Sequence, residues 1–186
     1  ENPQNLFKRE NARTEKWKVM LTKIEKLIIK RDPICKNTLE CAIIFVVKSR
    51  IRKGIPAGMR HIVWPILCDF NGLKREMKFT YNHFIEASDY PCQDIIRKDI
   101  LRTFGNNIFF LRGVGQVATT NILKSISLAF PDVGYTQGMN SLAAFFACCI
   151  GDEDSFWMFV YLYERRGLKP YFRDLHSLER QYYIFD

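Results

Sequence analysis

The sequence predicts an all-α fold, and three observations carry that prediction. Apolar residues recur at helical spacing through most of the 186-residue chain. No alternating apolar–polar pattern with a matching partner segment marks a sheet. Met139 to Ile150 is apolar on nearly every side, as befits a helix in the middle of a core. With 47% hydrophobic and 14% aromatic residues, the chain can bury one sizeable core and is far from a disordered composition.

The first predicted helix is Thr14 to Arg31. Trp17, Met20, Leu21, Ile24, Leu27 and Ile28 fall at i, i+3, i+4, i+7, i+10 and i+11, one apolar stripe, and Asp32 and Pro33 end it. Residues 1–13 read as a polar extension and 14–186 as the domain proper. Thr38 to Ile51 contains the β-branched run Ala42 to Val47 but no partner strand, so helix is the reading there. Gly54 and Pro56 punctuate the chain, glycine closing one element and proline opening the next. Met59, Ile62, Val63, Ile66, Leu67 and Phe70 follow at helical spacing, with Pro65 costing a backbone hydrogen bond or kinking the helix. Further helices are predicted at Lys74 to Ser88, Cys92 to Phe104 and Val114 to Phe130. Met139 to Ile150 should be central and buried, and Asp152 caps a last helix that runs to Arg166 and closes at Gly167.

Composition removes several function classes. The longest apolar run, Leu142 to Ile150, is far short of the roughly 20 residues needed to cross a bilayer. Glu1 to Lys8 is polar and shows neither a secretory leader nor a lipidation motif, so a cytosolic protein is expected. Cys35, Cys41, Cys68, Cys92, Cys148 and Cys149 form no C-x-x-C pair, and His61, His83 and His176 are scattered, so no metal site is expected. Cys148 and Cys149 read as reduced core thiols. The net charge of +8 is concentrated: Lys8 to Arg31 holds nine Lys or Arg against three Glu, a surplus of six. A solvated helix face is the common cause of such a run, and weak contact of residues 8–31 with acidic membrane is the alternative.

Three segments carry chemistry by their kind, order and spacing. Gly54-Ile55-Pro56 precedes Arg60 and Trp64; Ile96 to Thr103 holds Asp99, Arg102 and Thr103; Val133 to Asn140 reads V-G-Y-T-Q-G-M-N. These resemble the G-I-P-x-x-x-R-x-x-x-W, I-x-x-D-x-x-R-T and V-G-Y-x-Q-G-M-N segments of the TBC domain, a family of Rab GTPase-activating proteins. Asp154 to Trp157 resembles the acidic-Phe-Trp helix that follows in that family. The likeness runs from about Trp17 onward.

The resemblance implies an N-terminal catalytic subdomain in which Arg102 is an arginine finger and Gln137 a glutamine finger, both reaching a GTP-bound Rab-family GTPase. The chemistry suits these residue types. Phosphoryl transfer needs charge stabilisation and an oriented water rather than covalent help. A guanidinium donates to several phosphate oxygens at once, and a carboxamide accepts from water while donating elsewhere. An arginine supplied in trans is worth on the order of 10³ to 10⁵ in rate, about 4 to 7 kcal/mol of barrier. Asp99, three residues before Arg102, either orients the guanidinium or makes an ordinary surface ion pair. Tyr135, through its ring, and Asn140, through local backbone bonds, should shape the turn that Gly138 permits. The resemblance gives Arg60 and Trp64 a supporting role. GTP and Mg²⁺ would belong to the partner, since no G-x-x-x-x-G-K-[ST] loop is present and no cofactor of this chain is implied.

The family usually has Cys where Thr136 stands, a change expected to be harmless, and members continue past the point of Asp186 with a second helical subdomain, here expected to be missing. A monomer acting in vesicle trafficking, cytoplasmic and peripherally associated with endomembranes, is implied. Two rival readings stay open: a catalytically inactive scaffold of the same fold, and a basic helical module for membrane or nucleic acid. Against the latter, the charge is confined to one segment and no nucleic-acid-binding pattern occurs, so no nucleic-acid partner is expected.

Overall fold

The computed structural model describes residues 2–29 and 49–173, with the side chains of 23–29 set aside. Every regular element among the described residues is helical. Two compact units divide the chain, Glu1–Val63 and Trp64–Asp186.

In the first unit, helix α1 spans Pro3–Ile29. It starts eleven residues before the predicted Thr14. Pro3 suits a first turn, and the side chain of Asn2 accepts the Gln4 N–H at 3.0 Å. Apolar periodicity could not reveal this part of the helix, because its first turns are mostly polar. Trp17, Met20 and Leu21 are buried, as their shared stripe predicts. The Trp17 indole N–H donates to the Gly54 carbonyl at 3.1 Å, tying α1 to the turn after the helical residues 49–52. Gly54 ends that stretch at φ 91°, and Pro56 caps a 3-10 turn, Ala57–Met59. The predicted stop at Asp32 and Pro33, most of the helix from Thr38, and Cys35 and Cys41 lie outside the described residues.

Helix α2, Arg60–Leu67, contains Pro65 and does not continue to Phe70. Asp69 adopts a left-handed φ of 47°, and its carboxylate accepts the Gly72 N–H at 3.0 Å, opening α3, Phe70–Glu76. The predicted helix Lys74 to Ser88 is interrupted: Met77 is extended, and α4, Tyr81–Ile85, begins anew. The break delivers Phe79 onto Phe84, Phe130, Phe156 and Trp157. Packing the half-buried Phe79 ring against four others offsets the few backbone bonds lost.

Helix α5 spans Gln93–Leu101, α6 Ile108–Leu111, α7 Val114–Ala129, α8 Met139–Ile150, α9 Asp152–Arg166 and α10 Lys169–Arg173. Helices α7, α8 and α9 pack on one another, α4, α5 and α6 add to α7, and α3 adds to α9. Ile122, Leu123, Ile126, Met139, Ala143, Phe156 and Phe159 fill the core between them. Helix α8 is less enclosed than its composition predicts: Phe145 and Cys148 are exposed, so Cys148 is not a core thiol. Asp152 is the first helical residue rather than the cap, which is Gly151. Its carboxylate accepts from the Glu153 N–H at 2.9 Å and the Tyr81 hydroxyl at 3.1 Å, and with Glu153 and Asp154 it complements the helix dipole. None of the described helices is long and apolar enough to cross a membrane.

Candidate functional site

Two chain segments far apart in sequence supply the site, the C-terminal end of α5 and the turn that opens α8. Ile96 and Ile100 are buried on α5, and the helical period places Asp99 on the inward side with them. Helix α5 then ends at Arg102, whose φ of −101° leaves the helical region. The last turn therefore holds one anchored acid and one displayed base.

Asp99 and Arg102 are paired, Nη2 to Oδ1, at 2.6 Å. The two are unlike in environment: the Asp99 side chain is 6% exposed and that of Arg102 61%. An ordinary surface ion pair has both partners in water. Here a buried carboxylate grips one edge of a solvent-facing guanidinium and leaves its other N–H groups free in direction to reach outward. The second Asp99 oxygen accepts from the Tyr135 hydroxyl, and the backbone carbonyl of Asp99 accepts from the Thr103 hydroxyl at 2.6 Å. A buried carboxylate is costly unless so satisfied.

Tyr135 serves through its hydroxyl and not only its ring, which the sequence reading did not foresee. Burial first, then the hydrogen bond and charge of Asp99, raise its pKa well above the ordinary phenol value, keeping it a neutral donor. Asn140, at the start of α8, accepts the Gly138 N–H at 3.1 Å, the local backbone bond expected of it. Its amide also donates to the Thr103 hydroxyl at 2.8 Å. Thr103 is thus a relay between α5 and α8 that sequence reasoning left out. Its adjacency to Arg102 in the motif was the available signal.

The turn Gly134 to Gly138 is built on positive φ at both glycines, 62° and 101°. An added Cβ at Gly138 would meet nothing within 4 Å, so backbone conformation and not space requires the glycine there. Gln137 precedes it, exposed at the mouth of α8, and makes no side-chain hydrogen bond among the described residues. The hydrogen-bonded chain Arg102–Asp99–Tyr135 and the link Gly138–Asn140–Thr103 join the two segments that bear Arg102 and Gln137.

Thr136 departs from the family pattern with a consequence. Its hydroxyl donates to the Phe172 carbonyl at 2.6 Å and ties α10 to the turn, a bond a thiol makes only weakly. Trp64 is half-buried against Phe145 and Phe146 of α8, a packing role for the segment that carries Gln137. Arg60 lies in the first unit, apart in the chain from the segments that bear Arg102 and Gln137.

Comparison with known proteins bears on the fold and the family. The human ecotropic viral integration site 5 protein homolog is 33% identical over 129 residues, covering 68% of this chain and 16% of that protein. The Drosophila melanogaster TBC1 domain family member whacked is 36% identical over 117 residues, 61% of this chain and 32% of that protein. The chain thus spans a sixth to a third of the length of these curated relatives. Among solved structures, the Chlamydomonas flagellar RabGAP TBC domain superposes with a TM-score of 0.61 at 21% identity, covering 80% of this chain and 54% of that one. That likeness establishes the fold. A model of the Rab-GTPase-TBC domain family matches residues 57–186, and the chain belongs to that family.

Proposed function

We propose that this protein accelerates GTP hydrolysis on a Rab-family GTPase in its GTP-bound form, using Arg102 as an arginine finger and Gln137 as a glutamine finger. The observation that carries the reading is the asymmetric pair: a buried Asp99 holding an exposed Arg102 guanidinium. A side chain with several rotatable bonds loses about 1.5 to 2 kcal/mol of rotamer entropy when fixed. Asp99 and Tyr135 meet much of that cost before docking. Gln137, unencumbered at the mouth of α8, is suited to align the attacking water.

In this mechanism the partner carries GTP and Mg²⁺, and the protein lends charge and geometry. As the bond to the leaving phosphate loosens, negative charge builds on the transferred group and its bridging oxygen. The guanidinium N–H groups not committed to Asp99 stabilise that charge, while the Gln137 carboxamide accepts from water and donates to the transferring group. Such a role belongs to control of vesicle trafficking at endomembranes, with the protein working from the cytoplasmic side.

Single-turnover GTP hydrolysis by a panel of Rab GTPases, with and without this chain, tests the reading. Acceleration is expected for at least one member. Arg102→Ala should reduce it on the order of 10³-fold or more, and Gln137→Ala about 10²-fold. Acceleration that survives Arg102→Ala would remove the arginine from its role. Tight GTP-state binding without acceleration would instead establish the scaffold reading.

A further inference from the structure

We infer that the N-terminal unit carries a second site, a cationic pocket for a ligand with clustered phosphates, presented by the headgroup of a membrane lipid. Arg9, Arg13 and Lys16 of α1 and Arg50, Arg52 and Lys53 of the following segment line one cavity of about 410 Å³. Six positive charges thus face one space with no carboxylate among its lining residues. Glu10 stands nearby and offsets part of the charge of Arg13 at 3.8 Å, while its other oxygen accepts the Ala57 N–H at 3.3 Å, so the pocket keeps a cationic surplus.

The pocket is assembled rather than accidental. Its two halves are distant in sequence and are tied by the buried Trp17 of the first, whose indole N–H donates to the Gly54 carbonyl at the end of the second. Bringing like charges together within a Debye length, about 8 to 10 Å, costs free energy that a polyanion would recover. Guanidinium forks match phosphate oxygens in bidentate pairs. Each phosphomonoester carries about −1.5 to −2 charges. A few phosphates on one ring therefore balance charge that would take about twice as many carboxylates. The cavity volume falls at the small-ligand end of the usual range, suited to a single phosphorylated ring and not to an extended acidic peptide.

Apolar residues beside the pocket favour a lipid as the source. Leu6, Arg9, Arg13 and Lys16 fall at i, i+3, i+7 and i+10, one face of α1. Leu6 is 42% exposed and its neighbour Phe7 69%. A helix end with cations on one side and unburied Leu and Phe beyond them is built to rest in a membrane interface. This inference is independent of the proposed action on a GTPase.

The experiment is co-sedimentation of the full chain with three kinds of phosphatidylcholine vesicle: plain, with a phosphatidylinositol bisphosphate, and with phosphatidylserine at matched charge. Soluble inositol trisphosphate serves as competitor and as a direct ligand in calorimetry. Binding to the phosphoinositide vesicles alone, displaced by the soluble headgroup, supports the site and the lipid source. Near an anionic surface each Lys or Arg contributes about a fivefold factor, so Arg13→Gln with Arg52→Gln should lose roughly 30-fold. Lys16→Gln with Lys53→Gln changes two exposed side chains, keeps the fold, and should lose a similar factor. Lys18→Gln, paired with Glu15 and outside the pocket, should change little. Binding of soluble trisphosphate without vesicle binding supports the pocket and transfers its ligand to solution. Equal binding to phosphatidylserine vesicles, or none to either probe, overturns the site.

Discussion

Asp99 uses one oxygen for Arg102 and the other for Tyr135, so the carboxylate is at once an anchor for a displayed cation and a tie between α5 and the α8 turn. Removing the phenol hydroxyl leaves half of a buried charge with a poorer set of partners. Tyr135→Phe should therefore lower stability by about 1 to 3 kcal/mol, read as a shift in urea midpoint. In GTP hydrolysis the same variant should lower the maximal rate several-fold with little change in half-saturating concentration, because Arg102 is less well held while the docking surface is intact. A change in half-saturation alone would place Tyr135 in docking. The i, i+3 spacing made the Asp99–Arg102 pair legible in the sequence, but its asymmetry was not, since burial depends on which face of α5 meets the core. The Asp99–Tyr135 bond joins residues 36 apart, and no local pattern encodes it.

The helices show what a single sequence reveals about elements. Helices α7, α8 and α9 fall within a residue of their predicted limits, because each is long, apolar and bounded by glycine or a turn. Helices α6 and α10, of four and five residues, are too short to show a period and were not foreseen. The predicted helix from Lys74 failed for another reason: local propensity allowed continuation, and the aromatic cluster around Phe79 overrode it. The entry to α8 is the element most exposed to a single change. Gly138 holds φ 101° in open space, so Gly138→Ala should cost about 1 to 3 kcal/mol through backbone strain alone. Denaturant unfolding should show a lower midpoint with an unchanged slope. If stability holds while stimulated hydrolysis falls, the turn has reorganised around Gln137 instead of bearing strain.

At the scale of the whole domain, the surface beside Arg102 is more apolar than a solvated face requires. Between Leu101 and Val117 the chain exposes Leu101, Phe104, Ile108, Leu111, Val114 and Val117, in the same stretch that displays the guanidinium. Scattered exposed apolar residues need no explanation, but a run of them flanking a proposed finger does. Contact with the GTPase would bury this rim and exclude water from the arginine, strengthening its interaction with phosphate. Leu111 is 69% exposed and Val117 62%, so Leu111→Asp and Val117→Asp should leave folding nearly unchanged. Each should raise the half-saturating concentration for GTPase stimulation by about fivefold or more, since an interface residue of this kind contributes over 1 kcal/mol when central. The rate at saturation should stay near that of the parent, because Arg102, Asp99 and Gln137 are untouched. A fall in the saturated rate with unaltered half-saturation would mean that the rim shapes the catalytic turn from within, and the docking surface would then have to be sought elsewhere on the domain.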